Sequence, residues 1–348
     1  MIFFHISHTD LDGYGCQLIA KKIFPDGFYF NANYGIEVKT TIDVVLQKVT
    51  SYKNDDIFIL ISDLNLTLDE SKALNRNINN LIKNGYNIKL QLLDHHATGK
   101  PSSLKYDWYF LDTTRSATKI VFDYFSENYL EFLPLCDTKF KTLIEAIDDV
   151  DIWCENDPYF EFGKVLLRLI SHANEINATM FPKENRAYRL ALLKKATQYI
   201  EEDKGHILLD DQIHFIKKEY LNLTSYADTI DNLTAKYLVY LLEHKKENLT
   251  IYYKQYKGLL TFSLSNISIP ANTFLKAHSD YDFFINIGRR GTVGLRANGN
   301  IDVSLLASKL ANGGGHPNAS GASFKNWKEK VRYDDVKQFL EEKLKDIS

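Results

Sequence analysis

Three apolar runs that each stop on acid or imidazole side chains constrain this chain more than any other feature. Residues 2–7 lead into His8-Thr9-Asp10, residues 56–62 into Asp63, and residues 88–93 into Asp94-His95-His96. Short continuous apolar runs of this kind read as strands buried on both faces. Helical periodicity follows each one: residues 15–24, closed by Pro25, then residues 69–84, stopped by Gly85, then residues 114–133 and 139–149. Strands alternating with helices predict an α/β domain with a parallel sheet covered on both sides. The carboxyl ends of such strands border the binding crevice, so the polar clusters are expected to meet there.

At 348 residues the chain is long enough for two domains. The pattern changes after Asn248. Residues 249–253, 259–264, 283–287 and 292–297 read as strands, residues 301–311 as a helix, and Gly313-Gly314-Gly315 follows. The expected organisation is a catalytic domain over residues 1–185, a Lys- and Glu-rich helical linker over 186–249, and a smaller α/β substrate domain over 250–348.

Composition removes several function classes. With 45% hydrophobic and 25% charged residues, disorder is excluded as the main state. A net charge of −3 argues against gripping duplex DNA by bulk electrostatics. No apolar run approaches the ~18 residues of a membrane span, and Met1-Ile2-Phe3-Phe4-His5 lacks the basic start of a signal peptide. Cys16, Cys136 and Cys154 form no disulfide framework, which fits buried or half-buried thiols in a reducing cytoplasm. The charge is uneven: residues 1–250 carry 28 basic and 36 acidic side chains, residues 251–348 carry 14 and 9. An acidic body suits a cation site, and a basic tail suits an anionic substrate.

The clusters carry the chemistry. Asp10 and Asp12, beside His8, can point to one side in extended backbone, which suits a divalent ion. Taken singly, they also suit the start of a helix, and Asp63 alone suits an N-cap. Two adjacent histidines after Asp94 cannot both face a core. Asp148, Asp149 and Asp151 add carboxylates in an apolar setting. Mixed carboxylate and imidazole donors without thiolates suit Mn²⁺ or a similar ion rather than a zinc–thiolate site. Beyond residue 300, one glycine would suffice to end a helix, whereas Gly313, Gly314 and Gly315 followed by His316 let backbone N–H groups approach a phosphate. Arg296 and His316 would add charged contacts to it, and Arg115, at a helix start, is a further phosphate candidate.

In order and spacing, His8-x-Asp10-x-Asp12-Gly13, Asp63 after a strand, Asp94-His95-His96 and the acidic segment around Asp149 resemble the four motifs of the DHH phosphoesterase superfamily. Gly313–Gly315 with His316 and Ala319-Ser320-Gly321 resembles the glycine-rich signature of the associated DHHA1 substrate domain, and Arg296 sits where that domain tends to carry a basic residue. The resemblance covers nearly the whole chain. It implies two Mn²⁺ ions, with Mg²⁺ or Co²⁺ as substitutes, bridged by Asp63. His8 and Asp10 would complete one ion; Asp12, His95 and a carboxylate of residues 148–151 the other, with Asp149 preferred and Asp151 second. Many members carry the first-motif histidine four residues before the first aspartate; that position here is Ile6, and His8 takes the role. Asp63, His95 and His96 would be the catalytic residues, with His96 free to donate to a phosphoryl oxygen.

The implied activity is a cytoplasmic phosphodiesterase acting on short nucleotides: nanoRNA, linear dinucleotides such as pApA, cyclic di-AMP or pAp. The substrate would lie in a cleft between the two domains, and the resemblance allows a homodimer. A family II inorganic pyrophosphatase shares the metal motifs but not the Gly313–Gly321 signature. A single-strand exonuclease of the same superfamily would need more chain for nucleic-acid-binding domains. A nucleotide-binding regulator with a dead site would be expected to lose the metal aspartates, which are present.

Overall fold

The computed structural model describes residues 1–224 and 226–347. The chain divides into two compact units, one formed by Met1–Ala173 with Arg186–Ile213, the other by Asn174–Asn185 with His214–Ser348. The connecting helices are therefore shared out: residues 186–213 pack into the first unit and residues 214–249 into the second.

Among the described residues, the first unit holds a five-stranded sheet built from β1 (Ile2–Ser7), β2 (Phe28–Asn31), β3 (Asp56–Ser62), β4 (Asn87–Asp94) and β5 (Tyr109–Leu111). The order is β2-β1-β3-β4-β5 and every pairing is parallel. Side-chain alternation divides each strand between two cores. Phe4, Ile6, Ile57, Ile59 and Ile61 face one layer with Val45 of helix Ile36–Val49 and Leu74 of helix Leu68–Lys83. Phe3, Phe58, Leu60 and Leu93 face the other with Ile19, Phe125 and Ile144. This double cover explains why the strands read as unbroken apolar runs. Edge strands β2 and β5, of four and three residues, are too short to show a period.

The chain leaves β1 on one side to form β2 and returns on the other to form β3, so the strand order reverses between β1 and β3. Such a reversal opens a crevice at the strand ends. The first helix, Leu11–Ala20, starts earlier than its apolar pattern predicts, because Asp10 Oδ1 accepts from Gly13 N–H at 3.0 Å and caps it. This corrects the extended reading of the first motif: Asp10 is the N-cap and Asp12 lies in the first helical turn. Gly13 is required for close approach, since a Cβ there would stand 2.4 Å from the His8 carbonyl oxygen.

The second unit carries a six-stranded mixed sheet of order β10-β11-β9-β8-β7-β6 among the described residues. Its strands are β6 (Thr250–Tyr253), β7 (Tyr256–Phe262), β8 (Phe283–Ile287), β9 (Thr292–Ala297), β10 (Gly314–His316) and β11 (Ala319–Ser323). The glycine tract is thus not a free loop but enters the edge strand of a hairpin, with His316 opposite Ala319. Part of its glycine content is structural. A Cβ at Gly313 would meet the Gly321 carbonyl oxygen at 2.2 Å, and Gly315 sits at φ +144°. No described helix is long and apolar enough to cross a membrane.

Candidate metal centre

The site grows from the ends of β1, β3 and β4. Ser62 closes the ladder of β3, and the Asp63 N–H still reaches Leu93 O at 3.1 Å. The backbone then turns left-handed at Asp63, φ +55°, a conformation that aspartate adopts more readily than most residues. The turn leaves the Asp63 carboxylate 1% exposed at the sheet end. On one side its Oδ2 faces His8 Nδ1 at 3.7 Å, and His8 Nδ1 donates to Asp10 Oδ2 at 2.7 Å. On the other its Oδ1 lies 3.5 Å from His95 Nε2 and 4.0 Å from His96 Nδ1. His95 Nε2 is also 3.7 Å from Asp12 Oδ2, and its Nδ1 is 3.5 Å from Asp151 Oδ2. Three groups of donors, each within 4.8 Å, result: His8, Asp10 and Asp63; Asp63, His95 and His96; Asp12, His95 and Asp151. Asp63 belongs to two of them.

A further ring of contacts holds these side chains. Asp12 accepts from Ala117 N–H at 2.9 Å and Thr118 N–H at 2.7 Å, so the start of helix Ala117–Asn128 fixes both its oxygens. Asp94 takes no place in the three groups. Its Oδ1 accepts from His96 Nδ1 at 2.8 Å and its Oδ2 from the Tyr109 hydroxyl at 2.7 Å, which orients His96. His96 Nε2 meets the Tyr34 hydroxyl at 3.1 Å. Asn31 donates to the His8 carbonyl at 2.9 Å, and buried Arg186 donates to Asn31 at 3.2 Å.

The electrostatics fit a cation. Burial first, then Asp12 and Asp10, push the Asp63 carboxyl well above its ordinary range. Asp12 and Asp151 are also raised, chiefly by burial. Burial opposes charge on His8, but Asp10 and Asp63 outweigh it and lift its pKa to about 10. Among the described residues Asp63 Oδ2 is buried without a hydrogen-bond partner. A buried acceptor left unpaired costs about 1–3 kcal/mol, more when charged. A divalent ion would offset that cost and the repulsion among the carboxylates together.

Three carboxylates at the end of helix Thr138–Asp151 go to three different partners. Asp148 Oδ1 accepts from Ser116 N–H at 2.6 Å, Asp149 Oδ2 from Tyr159 N–H at 3.2 Å, and Asp151 faces His95. Of the three, Asp151 is the one that stands beside His95, whereas helical rotation aims Asp149, the sequence preference, at the following turn. Arg115 is paired with two carboxylates: its Nε donates to Asp112 at 2.7 Å and its guanidinium also pairs with Asp123. In the second unit Arg296, Ala319 and His316 stand in one lateral row across β9, β11 and β10, which puts Arg296 and His316 on the same sheet face. Arg296 donates to Ser268 Oγ at 2.9 Å beside a pocket of about 390 Å³ lined by Asn272, Asn298 and Asn318. Gly314, Gly315 and His316 are exposed, and Gly313 is half-buried. Tyr34 is too weakly marked in the sequence to be assigned a role, and Tyr109 and Arg186 are not marked at all. Arg186 sits in a segment whose charge reads as a solvated helix.

Known proteins agree with this architecture. The DHHA1 domain family matches residues 263–346. A 3′,5′-cyclic-nucleotide phosphodiesterase of Helicobacter pylori is 40% identical over 98% of this chain and 98% of its own. Oligoribonuclease NrnB of Bacillus subtilis is 24% identical over 91% of this chain and 71% of its own. The crystal structure of an uncharacterized protein from Helicobacter pylori G27 superposes with a TM-score of 0.95 at 40% identity, covering 99% of both chains. These relatives make the chain an enzyme of the phosphoric ester hydrolase class. It belongs to the DHH/DHHA1 phosphoesterase superfamily, as its motifs implied.

Proposed function

We propose that this chain is a Mn²⁺-dependent nucleotide phosphodiesterase. The observation that carries the reading is the position of Asp63, shared between the His8–Asp10 group and the His95–His96 group. Asp63 would bridge two ions, His8 and Asp10 would complete one, and Asp12, His95 and Asp151 the other. Mixed carboxylate and imidazole donors favour Mn²⁺, with Mg²⁺ or Co²⁺ as substitutes. Two such ions would neutralise the phosphodiester and bring the pKa of a water molecule close to neutrality. His96, whose Nδ1–H goes to Asp94, would in its imidazolium form donate from Nε2 to a phosphoryl oxygen as charge builds. In the second unit, His316 and Arg296, on one sheet face, would be the candidates for contact with a substrate phosphate.

The substrate class proposed first is the 3′,5′-cyclic nucleotides, supported by the relative at 40% identity along the full length. Short oligoribonucleotides and dinucleotides such as pApA form the second reading, supported by the likeness to an oligoribonuclease. A direct test is purified protein with Mn²⁺ against cyclic AMP, cyclic GMP, pApA, cyclic di-AMP, pAp and a short RNA. Turnover of a cyclic mononucleotide, abolished by chelation and restored best by Mn²⁺, is the expected result. Cleavage of pApA or RNA alone selects the second reading. Turnover that survives exhaustive chelation rejects the metal mechanism, and binding without turnover leaves a nucleotide-binding regulator.

A further inference from the structure

Tyr34 lies between β2 and helix Ile36–Val49, a place that packing does not explain. It is 41% exposed, yet its ring centroid is 5.0 Å from that of His8 and 5.9 Å from that of His96. Its segment is tied to the first motif. Thr9 Oγ1, between His8 and Asp10, donates to Asn33 Oδ1 at 2.6 Å, and Asn33 donates from N and Nδ2 to Glu37 Oε2 at 3.1 Å. Gly35, at φ +79°, then turns the chain into the helix. The Tyr34 hydroxyl ends 3.1 Å from His96 Nε2. Asp94 occupies the other ring nitrogen of His96, so any group that binds His96 at Nε2 arrives beside that hydroxyl.

We propose that Tyr34 is a substrate-positioning residue, its hydroxyl and His96 Nε2 donating together to one phosphoryl oxygen. The assignment rests on the phosphodiesterase reading above. Before substrate enters, the bond between Tyr34 and His96 satisfies both polar atoms and holds both side chains near their working positions. With its Nδ1–H on Asp94, His96 carries a second proton on Nε2 only as imidazolium; in that form Nε2–H donates to the Tyr34 oxygen, and an entering phosphoryl oxygen takes both the Nε2–H and the phenol O–H, bonds to an anionic acceptor that are stronger. The phenol is a donor across the neutral range. The ring, resting on His8, forms one wall of the site.

The test is Tyr34→Phe, which removes the hydroxyl alone, in the Mn²⁺-loaded protein. Three readouts are compared with wild type: bound metal by elemental analysis, affinity for inorganic phosphate by calorimetry, and kcat and KM on the best nucleotide found. The expected result is unchanged metal content and melting temperature, phosphate affinity down about tenfold, and kcat/KM down about 10- to 100-fold, as for loss of one hydrogen bond to a charged group. Unchanged phosphate affinity and kcat/KM would overturn the assignment, and so would loss of metal, which would make Tyr34 a support for His8 instead. Wild-type protein that cleaves no phosphodiester, with phosphate affinity still reduced in the variant, would reject the functional reading and keep Tyr34 as a phosphate ligand.

Discussion

The strand-end cluster of the first unit and the glycine–histidine hairpin of the second are both polar, but they are held in opposite ways. In the first, Asp12 is fixed by two backbone N–H groups, Asp63 by a left-handed turn hung from Leu93, and Asp94 by Tyr109 and His96. Asp12, Asp63 and Asp94 are each at most 1% exposed. In the second, Gly314, Gly315 and His316 lie exposed on an edge strand, paired on one side only to β11. The first region is held by its own contacts, whereas Gly314, Gly315 and His316 have little beyond the β11 ladder to hold them. Damage to the first should therefore appear in metal content and kcat, and damage to the second in KM.

The largest effect is expected from Asp63→Asn. Loss of the shared carboxylate should lower turnover on the order of a thousandfold and deplete bound metal. The apo protein should melt no lower than wild type, since burial and neighbouring acids already oppose charge at this position. Near-normal turnover would move the bridge elsewhere. The contrast within one helix comes next. Asp151→Ala should weaken metal binding by about 10- to 100-fold, a loss of the size seen when groups around a metal are removed. Asp149→Ala should instead keep metal and turnover while losing about 1 kcal/mol of stability with the Tyr159 N–H bond. Exchanged phenotypes would restore Asp149 as the ligand.

His316→Ala tests the other half of the comparison. Metal content should not change, and KM for a nucleotide should rise roughly 3- to 10-fold through loss of a charged contact. Loss of metal in this variant would erase the distinction between the two regions. Near neutral pH the smallest effect concerns His5, fully buried in β1 with Nε2 2.8 Å from Ser62 Oγ. Burial, aided by the Arg186 charge, lowers its pKa to about 3 from 6.5. The unfolded chain then binds the extra proton first, so stability is full above pH 6.5 and declines as the pH falls toward 3. One site can contribute a slope of at most about 1.4 kcal/mol per pH unit. Denaturant titrations in chelator should show His5→Gln with a flatter acid limb than wild type; identical limbs would mean that His5 does not govern it.

Strand positions and their terminal acids were legible because burial on both sheet faces leaves an unbroken apolar run, and the residue after it must turn at the sheet end. Asp63 and the Asp94-His95-His96 segment follow that rule. The first helix was misplaced because its N-cap signal, Asp10, doubled as a candidate ligand. Edge strands β2 and β5 were invisible at four and three residues. The glycine tract was recognised as special, but its pairing with β11 depends on a partner strand that no local pattern specifies.

The sequence by itself determined the kind of donors, their order along the chain and their meeting at strand ends, because strand periodicity and chain direction are local properties. Only the tertiary structure decided which donors share a point in space. Asp148, Asp149 and Asp151 have the same chemistry within four residues, and their partners Ser116, Tyr159 and His95 come from three other segments. Tyr34 reaches His96 across 62 positions of sequence, and Tyr109 reaches Asp94 from a neighbouring strand. A side chain's direction is fixed by what packs against its backbone, and that is settled only when the sheet and its helices close together.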